Sequence, residues 1–433
     1  MPAVSDHFKR RQPSGIRVAQ IEFGKRQDDV EAVNLAIGNV SLPMHPAMQE
    51  RMRNLDRHPE FKDGVVRYTK TPGFDETNEA FMNIIASSGF STEGLYSQVT
   101  TGGSQAMMLA TLGVTGPAGT SEKPLLLIDA AYTNYNAMAK RLGRETVSIR
   151  RDLEDHGVFT LPELESIEEI IQTHRPGAMV VIPYDNPTGH FYDHETLKKL
   201  GALAVKHDMW LVSDEAYREL HYTDHDTVSV WGLTEDEVPG ITGHRISIET
   251  ASKVWNACGL RIGALVTDNG EFHEKAVAEN TAELCSPAID QYVFGALAHV
   301  SHDELKEWYE RQREYYGGML FSFTKRLKEE LPDVIVSSPD ASLYSVVDVK
   351  NAAKPGFDAM DFVMFCAKEG KADVAGEEKT LLVAPMEGFY NVAPGEDNPG
   401  KTQMRVAYVE RPEVMARVPE LFAELFRQYE ARR

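Results

Sequence analysis

The sequence predicts an α/β fold: a larger unit built on a mostly parallel sheet with helices on both faces, joined to a smaller α+β unit. Three observations predict it. Between residues 124 and 213 short apolar runs alternate with amphipathic helical patterns, the rhythm of a parallel sheet crossed by helices. Asn186, Asp214 and Lys253 each stand just past the carboxyl end of a predicted strand, where open α/β sheets bind ligands. Residues 301–331 then form one long amphipathic pattern, and beyond it short strands and helices change the rhythm.

In order along the chain, residues 1–33 are polar apart from an amphipathic stretch at 16–23. The run NLAIGN at 34–39 reads as a short strand that stops at Gly38-Asn39, after which Pro43 and Pro46 carry the chain off as a loop. A glycine there permits close backbone approach. Residues 47–57 read as helix, 64–73 as a loop bearing Tyr68, and 74–89 as helix with Phe81, Ile84 and Ile85 at helical spacing. In the stretch SQVTTGGSQ, two glycines and Ser104 precede a helical pattern that begins near Gln105. Free N–H groups and a hydroxyl at a helix N-terminus suit an anion, although Gly-Gly-Ser also starts helices that bind nothing.

Strands at 124–129, 145–149, 178–183 and 209–213 alternate with helices at 136–142, 162–173 and 193–207. The apolar runs 245–250 and 261–267 enclose the polar turn that carries Lys253. An amine withdrawn from water between two buried strands is a nucleophile that can condense with a carbonyl. A surface-loop lysine is the other reading, and this stretch alone leaves both open. Residues 223–244 read as a polar, acidic loop and 271–300 as helix broken at Ser286-Pro287. The helix 301–331 carries Leu305, Trp308, Tyr309, Tyr315, Tyr316 and Leu320 as a core-facing stripe and ends at Pro332. Strands at 334–337, 343–349 and 380–384 with helices at 359–368 and 412–432 make the smaller unit, which the N-terminal segment is expected to join. The expected division is 46–305 for the larger unit and 1–45 plus 306–433 for the smaller.

At 433 residues, with 42% hydrophobic and 26% charged, the composition is that of an ordinary globular chain. The formal net charge of −21, from 45 Lys plus Arg against 66 Asp plus Glu, disfavours nucleic acid and anionic membrane as partners. Cys258, Cys285 and Cys366 are sparse and widely spaced, with no zinc-ligand pattern, which suits a reducing compartment and points to no metal. No apolar signal segment opens the chain and no apolar run approaches a membrane span, so a soluble, cytoplasmic protein is expected.

Taken together, Gly103-Ser104, Tyr132, Asn186-Pro187-Thr188-Gly189, Asp214 with Tyr217, Lys253, Arg261 and Arg405 supply a distinctive set of chemistries. They offer a nucleophilic amine, a carboxylate for a ring nitrogen, donors for a phenolic oxygen, an anion cup and an aromatic face. This is what pyridoxal phosphate requires of a protein. The chain resembles the fold-type I aminotransferases of class I/II, the aspartate aminotransferase superfamily. The resemblance covers nearly the whole chain through NLAIGN, TGGSQ, YDNPTG, SDEAY, the T-x-S-K…R-I-G block and QMRVAYV, in that order.

The resemblance implies a seven-stranded, mostly parallel sheet in the larger unit, pyridoxal 5′-phosphate as cofactor, and transfer of an amino group between an α-amino acid and a 2-oxo acid. It implies that Lys253 forms the Schiff base, moves the proton, and takes the cofactor through a pyridoxamine phosphate intermediate. Asp214 would pair with the pyridine nitrogen, and Tyr217 and Asn186 would hold the phenolic oxygen. Tyr132 would stack on the ring, while Gly103, Ser104, Gln105, Thr250, Ser252 and Arg261 would form the phosphate cup. Tyr68 matches the tyrosine that reaches the phosphate of a neighbouring subunit, which implies a homodimer with shared sites. Arg405 matches the arginine that forks onto the substrate α-carboxylate, with Asn186 and the backbone of Gly38 assisting.

The chain departs from the family pattern in three places. No arginine lies between Glu279 and Ile289, where aspartate-specific members carry a second one for the distal carboxylate. Ala130 replaces a proline, and Thr250 stands where serine is common. The segments 223–243 and 370–378 could shape substrate choice. Two alternatives share the cofactor residues: a C–S β-lyase on the same fold, and a ligand-sensing regulator without turnover, which the acidic charge opposes.

Overall fold

Seven strands form the main sheet, in the spatial order Tyr96–Thr100, Gly263–Thr267, Arg245–Thr250, Trp210–Asp214, Ala178–Val181, Leu125–Asp129 and Thr146–Arg150. Gly263–Thr267 runs antiparallel to both its neighbours, and every other pairing is parallel. This arrangement comes from a computed structural model that describes residues 2–374, 376–393 and 395–433. The strands Leu125–Asp129, Ala178–Val181 and Gly263–Thr267 are buried along their whole length, as strands covered by helices on both faces must be.

Because six strands point one way, their carboxyl ends share one edge. Thr100, Asp129, Val181, Asp214 and Thr250 all finish there, and the chain leaves each end into a turn bearing a candidate residue. The antiparallel strand starts at the same edge, which is how Arg261 joins them.

The long helix His302–Glu330 opens with a capping box between Ser301 and Glu304 and stops before Pro332. Its buried Leu305, Trp308, Tyr309, Tyr316 and Leu320 face the core, and Tyr315 is half-buried. The smaller unit holds two sheets. One orders Ile335–Val336, Tyr344–Asp348, Gln403–Ala407 and Ala384–Pro385. The other pairs Glu31–Asn34 in parallel with Glu377–Leu382, which also carries Ala372–Val374. The N-terminal segment is thereby tied to the smaller unit. Beyond Asn34 it continues between the sheets, where Leu35 donates to the Leu382 carbonyl and accepts from Ala407 N–H.

Several elements differ from the sequence expectation. The helix expected near Gln105 spans Gly102–Val114, so the glycines lie within its first turn. A Cβ on Gly263 would stand 2.6 Å from the Gly102 carbonyl carbon and 2.7 Å from Gly103 nitrogen; bare glycines let this helix end press onto the sheet. The strand expected at 34–38 is Glu31–Asn34, and that expected at 380–384 is Glu377–Leu382. Their apolar residues mark burial, whereas the pairing partner sets where the ladder lies.

The terminal helix divides into Pro412–Met415 and Val418–Arg432, with Pro419 in the first turn of the second piece, where its missing N–H costs nothing. Residues 223–244 are not a solvated loop. Val228, Val230, Trp231, Leu233, Val238 and Ile241 are buried, and Trp231 Nε1 donates to Ser247 Oγ at 3.1 Å on the main sheet. Of the segment 370–378, Ala375 lies outside the described residues; Ala372–Val374 and the start of Glu377–Leu382 belong to the three-stranded sheet. Among the described residues no helix is long and apolar enough to cross a membrane.

Candidate active site

A cavity of about 160 Å³ opens at the carboxyl edge of the main sheet. It is lined by Gly103, Ser104, Tyr132, Asn186, Asp214, Tyr217, Thr250, Ser252, Lys253 and Arg261, with Tyr135, Met107, Met138, Ile182, Ala216 and Cys258 completing the wall. The turns that follow five parallel strands, and the one that precedes the antiparallel strand, therefore converge on one hollow.

Lys253 sits in the turn between Arg245–Thr250 and Gly263–Thr267. That turn is pinned from outside the sheet. Trp308 Nε1 of the long helix donates to the Val254 carbonyl at 2.8 Å, and Asn256 Nδ2 donates to Pro43 O at 3.2 Å and to Gln312 Oε1 at 3.1 Å. Lys253 Nζ donates to the Gly38 carbonyl, contributed by the N-terminal segment. A Cβ at Gly38 would collide with the Tyr344 hydroxyl and stand 3.1 Å from Lys253 Nζ, so close approach requires glycine here.

Asp214, the last residue of its strand, accepts from the Tyr135 hydroxyl at 2.5 Å and from Ala216 N–H at 3.1 Å. Burial pushes its carboxyl up, with the Glu249 and Asp185 charges adding to this, while Tyr135 and Ala216 oppose it. No cation pairs with Asp214 among the described residues. Burial also pushes the Tyr132 phenol up to about 12. Tyr132 accepts from Asn134 Nδ2 at 2.7 Å.

Asn186 is the hub between the two units. Its Nδ2 donates to the Tyr217 hydroxyl at 3.2 Å and its Oδ1 accepts from Arg405 at 2.8 Å. Arg405 also donates to the Ala36 carbonyl at 2.8 Å, and its buried Nε has no partner among the described residues. The turn that presents Asn186 is held by Arg151, a fully buried arginine. It meets Asp185 at 3.1 Å and the Ala130 carbonyl at 2.6 Å, and thus braces the turns of Asn186 and Tyr132 together.

At the other end, the first N–H groups of Gly102–Val114 are left without intrahelical partners. Beside them Thr250 and Ser252 share a hydrogen bond at 2.8 Å. Arg261 donates to Cys258 O at 2.9 Å and pairs with no carboxylate among the described residues. A Cβ on Gly102 would lie 2.5 Å from its guanidinium.

Four candidates do not line this cavity: Gly38 and Arg405 stand behind its wall, bonded to Lys253 and Asn186, while Gln105 and Tyr68 are directed elsewhere. Gln105 spends its side chain on Thr101 N–H at 2.5 Å and Asn280 at 2.9 Å. Tyr68 is 80% exposed and lines a separate hollow with Phe61 and Arg67. The described residues of the segments 223–243 and 370–378 do not line the cavity either. Sequence reasoning missed Tyr135, Arg151 and Tyr344. Tyr135 lies one helical turn beyond Tyr132, a spacing that marks a shared face. Arg151 and Tyr344 carry no local signal.

A family model described as aminotransferase class I and II matches residues 30–397. The chain belongs to this family. Among curated relatives, aspartate aminotransferase of Streptomyces avermitilis is 24% identical over 66% of this chain and 66% of its own length. Aspartate/prephenate aminotransferase of Thermus thermophilus is 28% identical over 55% of this chain and 57% of its own length. The matched stretches thus span less than two thirds of these relatives. A solved single mutant of Thermus thermophilus aspartate aminotransferase superposes with a TM-score of 0.79 at 21% identity, covering 98% of this chain and 100% of that one. The fold is the aspartate aminotransferase fold.

The cofactor of this family is pyridoxal 5′-phosphate, and the cavity's unsatisfied groups fit it. A buried carboxylate without a cation suits a protonated ring nitrogen. A cation without a carboxylate, beside free helix N–H groups, suits a phosphate. The amine of Lys253 lines the same cavity.

Proposed function

We propose that this protein is an aminotransferase that moves an amino group between an α-amino acid and a 2-oxo acid. The observation that carries this reading is the convergence of Lys253, Asp214 and Arg261 on one cavity, with Arg405 hydrogen-bonded to Asn186 at its wall. When bound, pyridoxal 5′-phosphate supplies a carbonyl that takes up the amino group and a ring that accepts electrons. Lys253 Nζ holds it and carries the proton from the substrate α-carbon. Asp214, kept in place by Tyr135, holds the ring nitrogen protonated. Tyr217 and Asn186 donate to the phenolic oxygen, and Tyr132 covers the ring face. Ser104, Thr250, Ser252, Arg261 and the N–H groups of Gly103 and Gln105 receive the phosphate. Arg405 forks onto the substrate carboxylate beside Gly38, the geometry only a guanidinium supplies.

We further propose a homodimer in which the exposed Tyr68 of each copy reaches the other's phosphate, a division at residues 46–305 against 1–45 plus 306–433, and a cytoplasmic location. The test is direct. Protein loaded with pyridoxal phosphate is expected to show the visible absorbance of a lysine-linked cofactor, and Lys253→Ala to lose it. Amino donors should then convert that absorbance only when they yield a 2-oxo acid. Persistence of the linked absorbance in Lys253→Ala, or release of pyruvate and ammonia from a cysteine conjugate without an oxo-acid acceptor, overturns the assignment.

A further inference from the structure

Tyr344 reaches the cavity wall from the smaller unit. Its strand runs antiparallel to Gln403–Ala407 with Val346 opposite Arg405, so Tyr344 and Arg405 occupy the same face on a diagonal. The Arg405 guanidinium lies 4.4 Å from the Tyr344 ring centre. The Tyr344 hydroxyl stands 3.0 Å from the Tyr217 hydroxyl.

Of two phenols sharing one hydrogen bond, one donates. The Tyr217 oxygen already accepts from Asn186 Nδ2 at 3.2 Å. With Tyr344 as donor, Tyr217 accepts twice and its own proton is free to point into the cavity that it lines. In the opposite sense Tyr217 spends its proton on Tyr344. The Tyr344 proton then has no acceptor among the described residues, which leaves an unmade bond in the interior. Burial pushes the Tyr217 phenol well up, so it remains a donor.

The segment that delivers Tyr344 is stitched to the turns holding Asn186 and Tyr217. Ala341 N–H donates to Gly189 O at 2.8 Å, and Ser342 N–H to Leu220 O at 2.7 Å. Tyr222 N–H donates to Asp340 O at 2.8 Å. The Ser342 hydroxyl donates to Asp185 O, also at 2.8 Å. The hydroxyl's position is thus set by contact between the two units.

We infer that Tyr344 is a positioning residue whose hydroxyl donates to Tyr217 and strengthens the hydrogen bond Tyr217 offers to the cofactor's phenolic oxygen. The protonation of the lysine-bound cofactor therefore depends on a group supplied by the smaller unit. This rests on the proposed function, because it requires the cofactor on Lys253. A stronger donor to the phenolic oxygen stabilises its negative charge and weakens the proton's hold on the nitrogen that joins cofactor to lysine. Removing the Tyr344 hydroxyl raises that proton's midpoint.

The experiment is a pH titration of the visible absorbance of the loaded protein. Tyr344→Phe keeps the ring under Arg405 and is expected to raise the midpoint by about 0.2–0.5 pH units, the share of a charge-assisted bond that a second donor contributes. In a Tyr217→Phe background the same change is expected to do nothing further. Replacing Tyr344 by 3-fluorotyrosine, a stronger donor of the same shape, is expected to lower the midpoint. A midpoint that stays or falls in Tyr344→Phe, or that rises equally without Tyr217, overturns the inference. If no lysine-linked absorbance forms in the unaltered protein, it is the proposed function that has failed.

Discussion

The Tyr135 hydroxyl donates to Asp214 Oδ2 at 2.5 Å, and this bond joins the helix Thr133–Arg141 to the end of a neighbouring strand. It gives a buried carboxylate, unpaired with any cation among the described residues, a donor that favours its charged form. A hydrogen bond to a charged group contributes about 1.5–3 kcal/mol. Tyr135→Phe is therefore expected to weaken pyridoxal phosphate binding by about ten- to a hundredfold, measured by equilibrium dialysis at neutral pH. An unchanged dissociation constant would show that the phenol only packs.

Gly38→Ala tests the closeness of the N-terminal segment to the site. The added methyl must displace the Tyr344 hydroxyl, and Lys253 Nζ stands 3.1 Å away. Overpacking of this kind costs about 1–3 kcal/mol. The expected outcome is a lower unfolding midpoint together with a KM for the amino acid raised at least about tenfold. Normal KM with normal stability would mean that the segment moves aside freely.

Asp129 supplies a pH dependence. Burial pushes its carboxyl up to about 6, against the Asn391 N–H and the Arg151 charge. An acid raised in the folded state favours folding fully at pH values where both states hold the proton. That advantage fades as pH rises from about 4 to about 6, because the unfolded chain releases its proton first. The group therefore removes on the order of 1–3 kcal/mol of stability across that window. Asp129→Asn does not titrate and can still accept from Asn391. Urea unfolding at pH 4 and pH 7 should show the variant gaining on the parent protein as pH rises; parallel curves would sink the idea.

Arg218 is buried between Glu249 at 2.6 Å and Glu215 at 3.3 Å. Removing it strands two carboxylates in the interior, at about 3–5 kcal/mol. Arg218→Met is expected to unfold at lower urea, with part of the loss recovered on acidification as the glutamates take up protons. A loss that does not depend on pH would mean that the arginine serves by its bulk.

The middle of the main sheet was legible because strands such as Leu125–Asp129 and Ala178–Val181 are continuous apolar runs, whereas the edge strand Tyr96–Thr100, with Ser97 and Gln98 in it, was not read as a strand. Arg245–Thr250 and the helix Ala359–Lys368 fall where the sequence places them. Elsewhere burial was readable and pairing was not. The apolar residues after Asn34 mark a buried segment, but its ladder belongs to Glu31–Asn34 because Glu377–Leu382 lies alongside. Residues 223–244 looked solvated because acidic residues separate the apolar ones that cover the sheet.

By itself the sequence determined the sheet's direction and, with it, the edge where the candidate residues emerge. A strand's direction follows from the order of elements, and a turn's residues are local to it. Only the tertiary structure decided who holds them. Arg151, Trp308 and Tyr344 are far in sequence from the turns they touch, and a residue's type does not encode its distant neighbour. It also turned Gln105 away from the cavity, because Asn280 and Thr101 N–H offered its amide nearer partners. It brought Ala36 and Gly38 against Arg405 and Lys253, because the N-terminal strand pairs with a segment from the far end of the chain.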